Sequence, residues 1–143
     1  MATIKQTYAS TVVVGFVTNA INSAATDVPK LSDEVDNSTT KYLAMDLELN
    51  FNWLTGTPDG TVDVYLVASA DGTTYADDAE TANLLFLASV TPDSSTNTNT
   101  VTKIIRVEQL PQKWKLLVIN TDTLSLGSSG NTVNFVGADL TNA

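Results

Sequence analysis

The chain has 143 residues and a mass of 15.2 kDa, the ordinary size of one domain with a single hydrophobic core. Hydrophobic residues make up 43% and charged residues only 16%, and the net charge is −9, so a charge-rich disordered chain is excluded and a phosphate backbone is an unsuitable partner. The absence of Cys and His excludes disulfides, thiolate nucleophiles, zinc fingers and Ser-His-Asp triads.

Residues 1–34 are predicted to form an N-terminal arm or edge-strand region ahead of the main domain. Within them, residues 11–18 contain a β-branched apolar run, which predicts a strand, while 19–26 and 31–37 are compatible with a helical turn or a loop. The run lacks the basic start and cleavage pattern of a signal peptide. No stretch reaches the roughly 20 apolar residues that span a bilayer, so we expect no membrane partner.

The clearest pattern is a strict alternation of apolar and polar residues over 43–53. A strand would place its apolar members on one face, and these are Leu43, Met45, Leu47, Leu49, Phe51 and Trp53. The pattern predicts a long strand with one face on the core and the other in water. The next segment, 57–61, contains Pro and Gly, and we expect it to close a hairpin onto a second alternating strand at 62–69.

The rest of the chain continues as strands joined by turns. Asp71 and Gly72 indicate another hairpin-type turn, and the apolar run 83–90 predicts a strand covered on both faces. Further strands are predicted at 101–108, 114–119 and 132–137, joined by polar loops such as 91–100 and 127–131. In strand 101–108 both faces carry an Ile, which leaves its orientation open.

About seven strands at this spacing, with almost no helical periodicity, predict an all-β fold. We expect a single antiparallel β-sandwich of jelly-roll-like topology over residues 35–143, preceded by the N-terminal arm. The segments 1–34 and 35–143 belong to one domain, because no linker or internal repeat divides the chain.

Three groups of carboxylates could in principle carry chemistry. Asp46 and Glu48 lie two positions apart on the wet face of the predicted strand, a separation of roughly 6.5–7 Å that would suit inverting glycoside hydrolysis. A half-exposed strand also needs polar outward residues, and this simpler interpretation is favoured. The acidic clusters that could bind a hard cation are Asp33, Glu34 and Asp36, and Asp77, Asp78 and Glu80.

Neither acidic cluster matches a calcium-loop pattern, and the Gly-Ser-Ser-Gly of residues 127–130 is not followed by the Lys or the helix of a phosphate loop. Solvated loop charge is therefore the favoured interpretation of both clusters. We expect no catalytic residue, no metal site and no cofactor.

The aromatic residues divide into two groups. Trp53 and Trp114 fall on apolar strand positions, which predicts that both pack in the core. Tyr42, Tyr65 and Tyr75 are better surface candidates. A carbohydrate-binding module would need two or three such rings on one flat face, and the sequence leaves open whether they converge.

The order of the segments resembles that of small virion proteins of tailed bacteriophages. The resemblance spans about residues 35 to 137, and the segments that carry it are 35–42 (VDNSTTKY), 60–66 (GTVDVYL), 69–77 (SADGTTYAD), 110–121 (LPQKWKLLVINT), 124–125 (LS) and 130–133 (GNTV). These are turn and core motifs, and none of them carries a catalytic residue.

The resemblance implies a non-enzymatic structural protein of a phage particle, a capsid decoration or cement protein that binds the major capsid protein. It also implies localisation in the virion and assembly with copies of itself, with a trimer as the first expectation. The N-terminal arm is where we expect the attachment surface. The alternative is a tail-associated module that binds the host surface or a carbohydrate, and a glycan-degrading enzyme is a more distant third.

Overall fold

A computed structural model describes residues 4–16, 20–54, 56–69, 71–76, 81, 84–92 and 100–142. These residues contain ten strands and no α-helix. The strands are β1 (Ile4–Tyr8), β2 (Val12–Val13), β3 (Lys30–Leu31), β4 (Val35–Asp36), β5 (Ala44–Asn52), β6 (Val62–Ser69), β7 (Leu85–Val90), β8 (Thr100–Glu108), β9 (Lys113–Asn120) and β10 (Thr132–Asn142). In the part of the chain so described, no helix is long and apolar enough to cross a membrane.

The strands form two antiparallel sheets. Sheet A has the order β1-β10-β5-β8, with β2 also paired to β10, and sheet B has the order β3-β9-β6-β7, with β4 also paired to β9. The two sheets enclose one apolar core. This confirms the predicted all-β, jelly-roll-like sandwich. The strands that the sequence did not predict are β1, β3 and β4, because at two to five residues they are too short for a period-two pattern to emerge.

The core is made by the inward faces of the long strands. On β5 the side chains of Met45, Leu47, Leu49 and Phe51 are all fully buried, as the alternation predicted. The prediction was wrong for Leu43, which precedes the strand and is 53% exposed. Trp53, the last residue of the pattern, forms an isolated bridge with Leu126 and is buried.

The segment 57–61 is not a hairpin, which corrects the sequence prediction. It joins β5 in sheet A to β6 in sheet B, so it carries the chain across the sandwich. Gly60 does not have a positive φ here. A Cβ at this position would lie 2.6 Å from the carbonyl oxygen of Thr121 and 2.7 Å from the backbone of Asp122, so glycine permits a close approach between two loops.

The strand pairing and the side-chain exposure decide how β7 and β8 are oriented. The strand at β7 is confirmed, but it is an edge strand with Leu85 and Phe86 more than half exposed, so the prediction that both of its faces are covered was wrong. On β8, Val107 is buried and Ile105 packs against the core, while Ile104 is 66% exposed. The face that contains Ile105 therefore points inward.

The N-terminal residues pair with both sheets. β1 and β2 lie on the C-terminal strand β10, and β3 lies on β9. The predicted strand at 11–18 is reduced to the two residues of β2, and residues 17–19 lie outside the described part of the chain. Residues 20–26 form turns and loops, and 31–37 contains the end of β3 and all of β4, so neither segment holds a helical turn.

Candidate functional site

The outer face of sheet B carries aromatic side chains from neighbouring strands. Tyr65 on β6 pairs with Phe86 on β7 and with Leu117 on β9, and paired residues project to the same side of a sheet. The rings of Tyr65 and Phe86 meet edge to face, with centroids 5.5 Å apart and an interplanar angle of 69°. Phe86 is 52% exposed, so this pair is open to solvent.

A β-bulge places Phe86 on this face. Val64 pairs with Ala88, but the next residue, Tyr65, pairs with Phe86, so Leu87 is the extra residue of the bulge. Regular pairing would have put Leu87 opposite Tyr65 and turned Phe86 toward the core. Instead Leu87 packs against the core and Phe86 joins the tyrosine outside.

Tyr75 reaches the same face from the loop after β6. The loop turns at Gly72, whose φ is +76°, and closes with a bridge between Ser69 and Tyr75. The Lys115 ammonium lies 4.5 Å from the centroid of the Tyr75 ring. Lys115 is two residues from Leu117 on β9, so it projects to the same outer side. We call the surface formed by Tyr65, Tyr75 and Phe86 the aromatic face.

The turn that carries Tyr75 is held by an aspartate. The Asp71 carboxylate accepts the backbone N–H groups of Thr74 and Thr73 at 2.7 and 2.8 Å, and these bonds hold the pKa of that carboxyl well below its usual range. The Ser69 hydroxyl donates to the carbonyl of Thr74 at 2.7 Å. The position of the Tyr75 ring is therefore fixed by the loop backbone as well as by the Lys115 ammonium.

Charged groups border the aromatic face on one side. The Tyr75 hydroxyl donates to Glu34, whose other carboxylate oxygen lies 2.9 Å from the Lys113 ammonium. The same ammonium lies 3.7 Å from Asp36. The tyrosine hydrogen bond and the ammonium both lower the pKa of Glu34. Burial and the neighbouring carboxylate raise the pKa of Tyr75, so its hydroxyl remains a donor at neutral pH.

We expect Tyr75→Phe to raise the pKa of Glu34 toward its ordinary value, because the hydroxyl that stabilises the carboxylate is removed. When the pKa of a carboxyl group is lower in the folded state than in the unfolded state, the carboxylate stabilises the fold at pH values above its unfolded pKa. This stabilisation is lost as the pH falls through the folded pKa. Titration of the Glu34 carboxyl by carbon NMR measures the shift. An unchanged Glu34 pKa in the variant would show that the hydroxyl does not contact the carboxylate.

The paired carboxylates Asp46 and Glu48 lie on the opposite side of the molecule, on the outer face of sheet A. Asp46 is 3.1 Å from Arg106, which also contacts Glu108 at 3.0 Å. Glu48 accepts hydrogen bonds from the side-chain amides of Asn50 and Asn134, which lower its pKa. A general acid needs the opposite shift, which argues against that role for Glu48. Because Asp46 is held in an ion pair with Arg106, the arrangement favours a structural role for both carboxylates.

Among the described residues, the first acidic cluster does not form a metal site. Glu34 and Asp36 are paired with Lys113, and the described ranges hold no group of three or more His, Cys, Asp or Glu side chains that could bind an ion. The second cluster, at residues 77, 78 and 80, lies outside the described residues.

The two tryptophans and Tyr42, which the sequence analysis also considered, have structural roles. Trp53 and Trp114 are 3% and 1% exposed, which confirms that both pack in the core. The Tyr42 ring lies against the backbone of Gly137 and packs partly on the core, so it does not join the aromatic face. Sequence reasoning missed Phe86, because the bulge that exposes it leaves no mark on the alternation.

No family model and no curated protein matches this chain. Among solved structures, the chain is similar to a family 35 carbohydrate-binding module from an environmental isolate, with 11% identity, a TM-score of 0.41 and coverage of 95% of this chain and 90% of that one. It is also similar to a CBM35 from Paenibacillus barcinonensis, with 14% identity, a TM-score of 0.37 and coverage of 96% and 98%. Both TM-scores lie below 0.5, so these two proteins bear on neither the fold nor the function of this chain.

Proposed function

We propose that the protein is a non-enzymatic carbohydrate-binding module that recognises a glycan through the aromatic face. The observation that carries this proposal is the convergence of Tyr65, Tyr75 and Phe86 on one side of sheet B. The C–H groups on one side of a sugar ring pack on aromatic rings, and such rings supply large, rigid contact area at little entropic cost.

The groups around the rings suit a polyhydroxylated ligand. Lys113, Lys115, Glu34 and Asp36 offer hydrogen-bond donors and acceptors beside the rings, and hydroxyl groups can bond to both kinds. Because these charges are paired with one another or with a ring, they present fixed polar groups. A sheet face with apolar rings and a few fixed polar groups has the chemistry of a sugar site.

A glycan array followed by calorimetric titration of the strongest ligand tests the proposal. Phe86→Ala and Tyr65→Ala should each weaken binding by about tenfold or more, which corresponds to about 1.4 kcal/mol. Tyr8→Ala is the matched control, since Tyr8 is 57% exposed but lies on sheet A. Equal affinity in all three variants, or no ligand on the array, would contradict the proposal.

A second candidate is a structural protein of a tailed-phage virion, a capsid decoration protein that binds the major capsid protein. It is favoured by the sequence resemblance over residues 35 to 137. Two residues of the resembling segments have scaffold roles in this chain: Gly72 has a positive φ in a tight turn, and Trp114 is buried in the core. The two candidates are compatible if a virion carries the glycan-binding module.

Antibody labelling of intact, purified particles tests the second candidate and separates a head position from a tail position. The decoration role predicts label on the head and a homo-oligomer, a trimer as the first expectation, by light scattering. Absence of the protein from purified particles would contradict the virion role, whatever the result of the glycan array.

A further inference from the structure

The strand β8 is a long and regular edge of sheet A. It pairs with β5 over nine consecutive residues without a register shift, and among the described residues no strand lies on its other side. Because an antiparallel strand bonds to each neighbour through alternate residues, every second residue of β8 directs its backbone N–H and C=O groups away from β5. Such an edge is a template on which a further strand can pair.

The other edges of the two sheets are short or irregular. At the opposite edge of sheet A, β1 and β2 have five and two residues, and at one edge of sheet B, β3 and β4 have two each. The remaining edge, β7, has six residues and contains the bulge at Leu87. Short strands and bulges both hinder edge-to-edge pairing. With nine regularly paired residues, β8 is therefore the edge best suited to accept another strand.

The sequence of β8 is complementary to its own copy in antiparallel orientation. Ile104 is the central residue of the nine, so a two-fold axis at Ile104 sets the whole strand opposite its copy. Ile104, which is 66% exposed, then meets the Ile104 of the second copy. Val101 meets Val107 and Thr102 meets Arg106 across the same axis. No two like charges lie directly opposite in this register, and the apolar side chains meet in pairs.

The cations of β8 already have partners within their own chain. Lys103 lies on the same face as Ile105, and a charge on the inner face of an edge strand hinders pairing when it is free. Its ammonium, however, donates to the carbonyl of Ser89 on β7 at 2.9 Å, so it is directed toward sheet B. Arg106 is held by Asp46 and Glu108 at 3.1 and 3.0 Å. These bonds leave neither cation free to oppose a second β8.

We propose that β8 is the interface for a second copy of this chain, through antiparallel pairing of the two β8 strands about a two-fold axis at Ile104. The pairing joins the two A sheets into one continuous sheet and covers each Ile104 side chain with the other. Two-fold pairing closes a dimer, so this inference differs from the trimer expected of a decoration protein. It also differs from the glycan proposal, because the aromatic face belongs to sheet B.

Disulfide trapping tests the register of this interface. The chain has no Cys, so Ile104→Cys carries a single thiol. Directly opposite residues have Cα atoms about 4.5–5.5 Å apart, which a disulfide can span, so mild oxidation should give a covalent dimer. Tyr8→Cys is the matched control, since Tyr8 is 57% exposed on sheet A but lies on β1, and it should stay monomeric.

A mixture of Thr102→Cys and Arg106→Cys extends the trapping experiment. The mixture should give a heterodimer by mass spectrometry, in greater yield than the homodimer of either variant alone, because only residues 102 and 106 lie opposite each other. Cross-linking of Tyr8→Cys as efficient as that of Ile104→Cys would overturn the proposal, as would a mixture that favours either homodimer.

Sedimentation at increasing protein concentration measures the association of the unaltered chain. We expect a monomer–dimer equilibrium that salt strengthens, because each copy has a net charge of −9. Ile104→Lys sets two ammonium groups opposite each other and should weaken the dimer by about tenfold or more. Thr102→Lys is a second variant at another exposed position of β8 if the first does not fold. A monomer at every concentration, a trimer, or a dimer that the folded variant leaves unchanged would overturn the proposal.

Discussion

Replacing Asp122 with Ala should lower the free energy of unfolding by about 2–4 kcal/mol, as measured by urea denaturation. Asp122 is fully buried, and its carboxylate accepts the backbone N–H groups of Asp59, Gly60 and Leu124 at 3.0, 2.8 and 2.8 Å. The alanine would leave these three donors without their acceptor. It would also remove the hydrogen bonds that join segment 57–61, which connects the two sheets, to the loop after β9.

Asp59→Ala is the matched control for this effect. Asp59 is exposed, and its carboxylate accepts a single backbone N–H, from Thr123, at 2.8 Å across the same pair of loops. We expect a clearly smaller loss, because water can replace an exposed acceptor. Equal losses in the two variants would show that burial of the Asp122 carboxylate does not determine how firmly the loops are joined.

Phe51→Ala should cost about 3–5 kcal/mol of unfolding free energy. Phe51 is fully buried on β5 and meets Trp53 edge to face, with ring centroids 6.3 Å apart. Its removal would leave a cavity between the sheets, where the surrounding side chains are fixed by both sheets. The same denaturation experiment measures the loss.

Phe86→Ala is the control for Phe51→Ala, since it makes the same chemical change on a ring that is 52% exposed. We expect a loss of about 1 kcal/mol or less, because little of this ring is removed from water in the folded state. A Phe86→Ala protein as unstable as Phe51→Ala would mean that the aromatic face is part of the core, and it would weaken the binding proposal.

The sequence was sufficient to predict the β-sandwich and much of its core. The alternation on β5 identified four fully buried residues, from Met45 to Phe51, because burial on one face of a strand imposes a period of two. Both tryptophans were also placed correctly. Such patterns depend on the local chain alone, which is why they can be predicted without knowledge of the fold.

Features that depend on distant pairing could not be predicted. A Pro-Asp-Gly turn is typical of a hairpin, yet residues 57–61 cross between sheets, because β6 pairs with β7 and β9 and leaves no place for β5. The exposure of Phe86 depends on a bulge that only the register of β6 and β7 defines. The sequence identified Tyr65 and Tyr75 as surface candidates, but their convergence with Phe86 follows from these pairings and could not be predicted.

The abundance of Asn and Asp had a role that composition alone did not specify. Four of these residues, Asn37, Asn120, Asp122 and Asn131, are buried. Asn131, for example, accepts the Asn52 N–H at 2.8 Å and donates to the Gly127 carbonyl at 2.8 Å. Buried loops of a sandwich need such side chains to satisfy the backbone groups that no strand pairs.

Chemical-shift mapping of the aromatic rings during titration with a panel of oligosaccharides tests the central claim most directly. If a glycan binds the aromatic face, the ring signals of Tyr65, Tyr75 and Phe86 will shift in a saturable way, and those of the buried Phe51 will not. Absence of saturable shifts at these three rings, or saturable shifts confined to Tyr8 on sheet A, would contradict it.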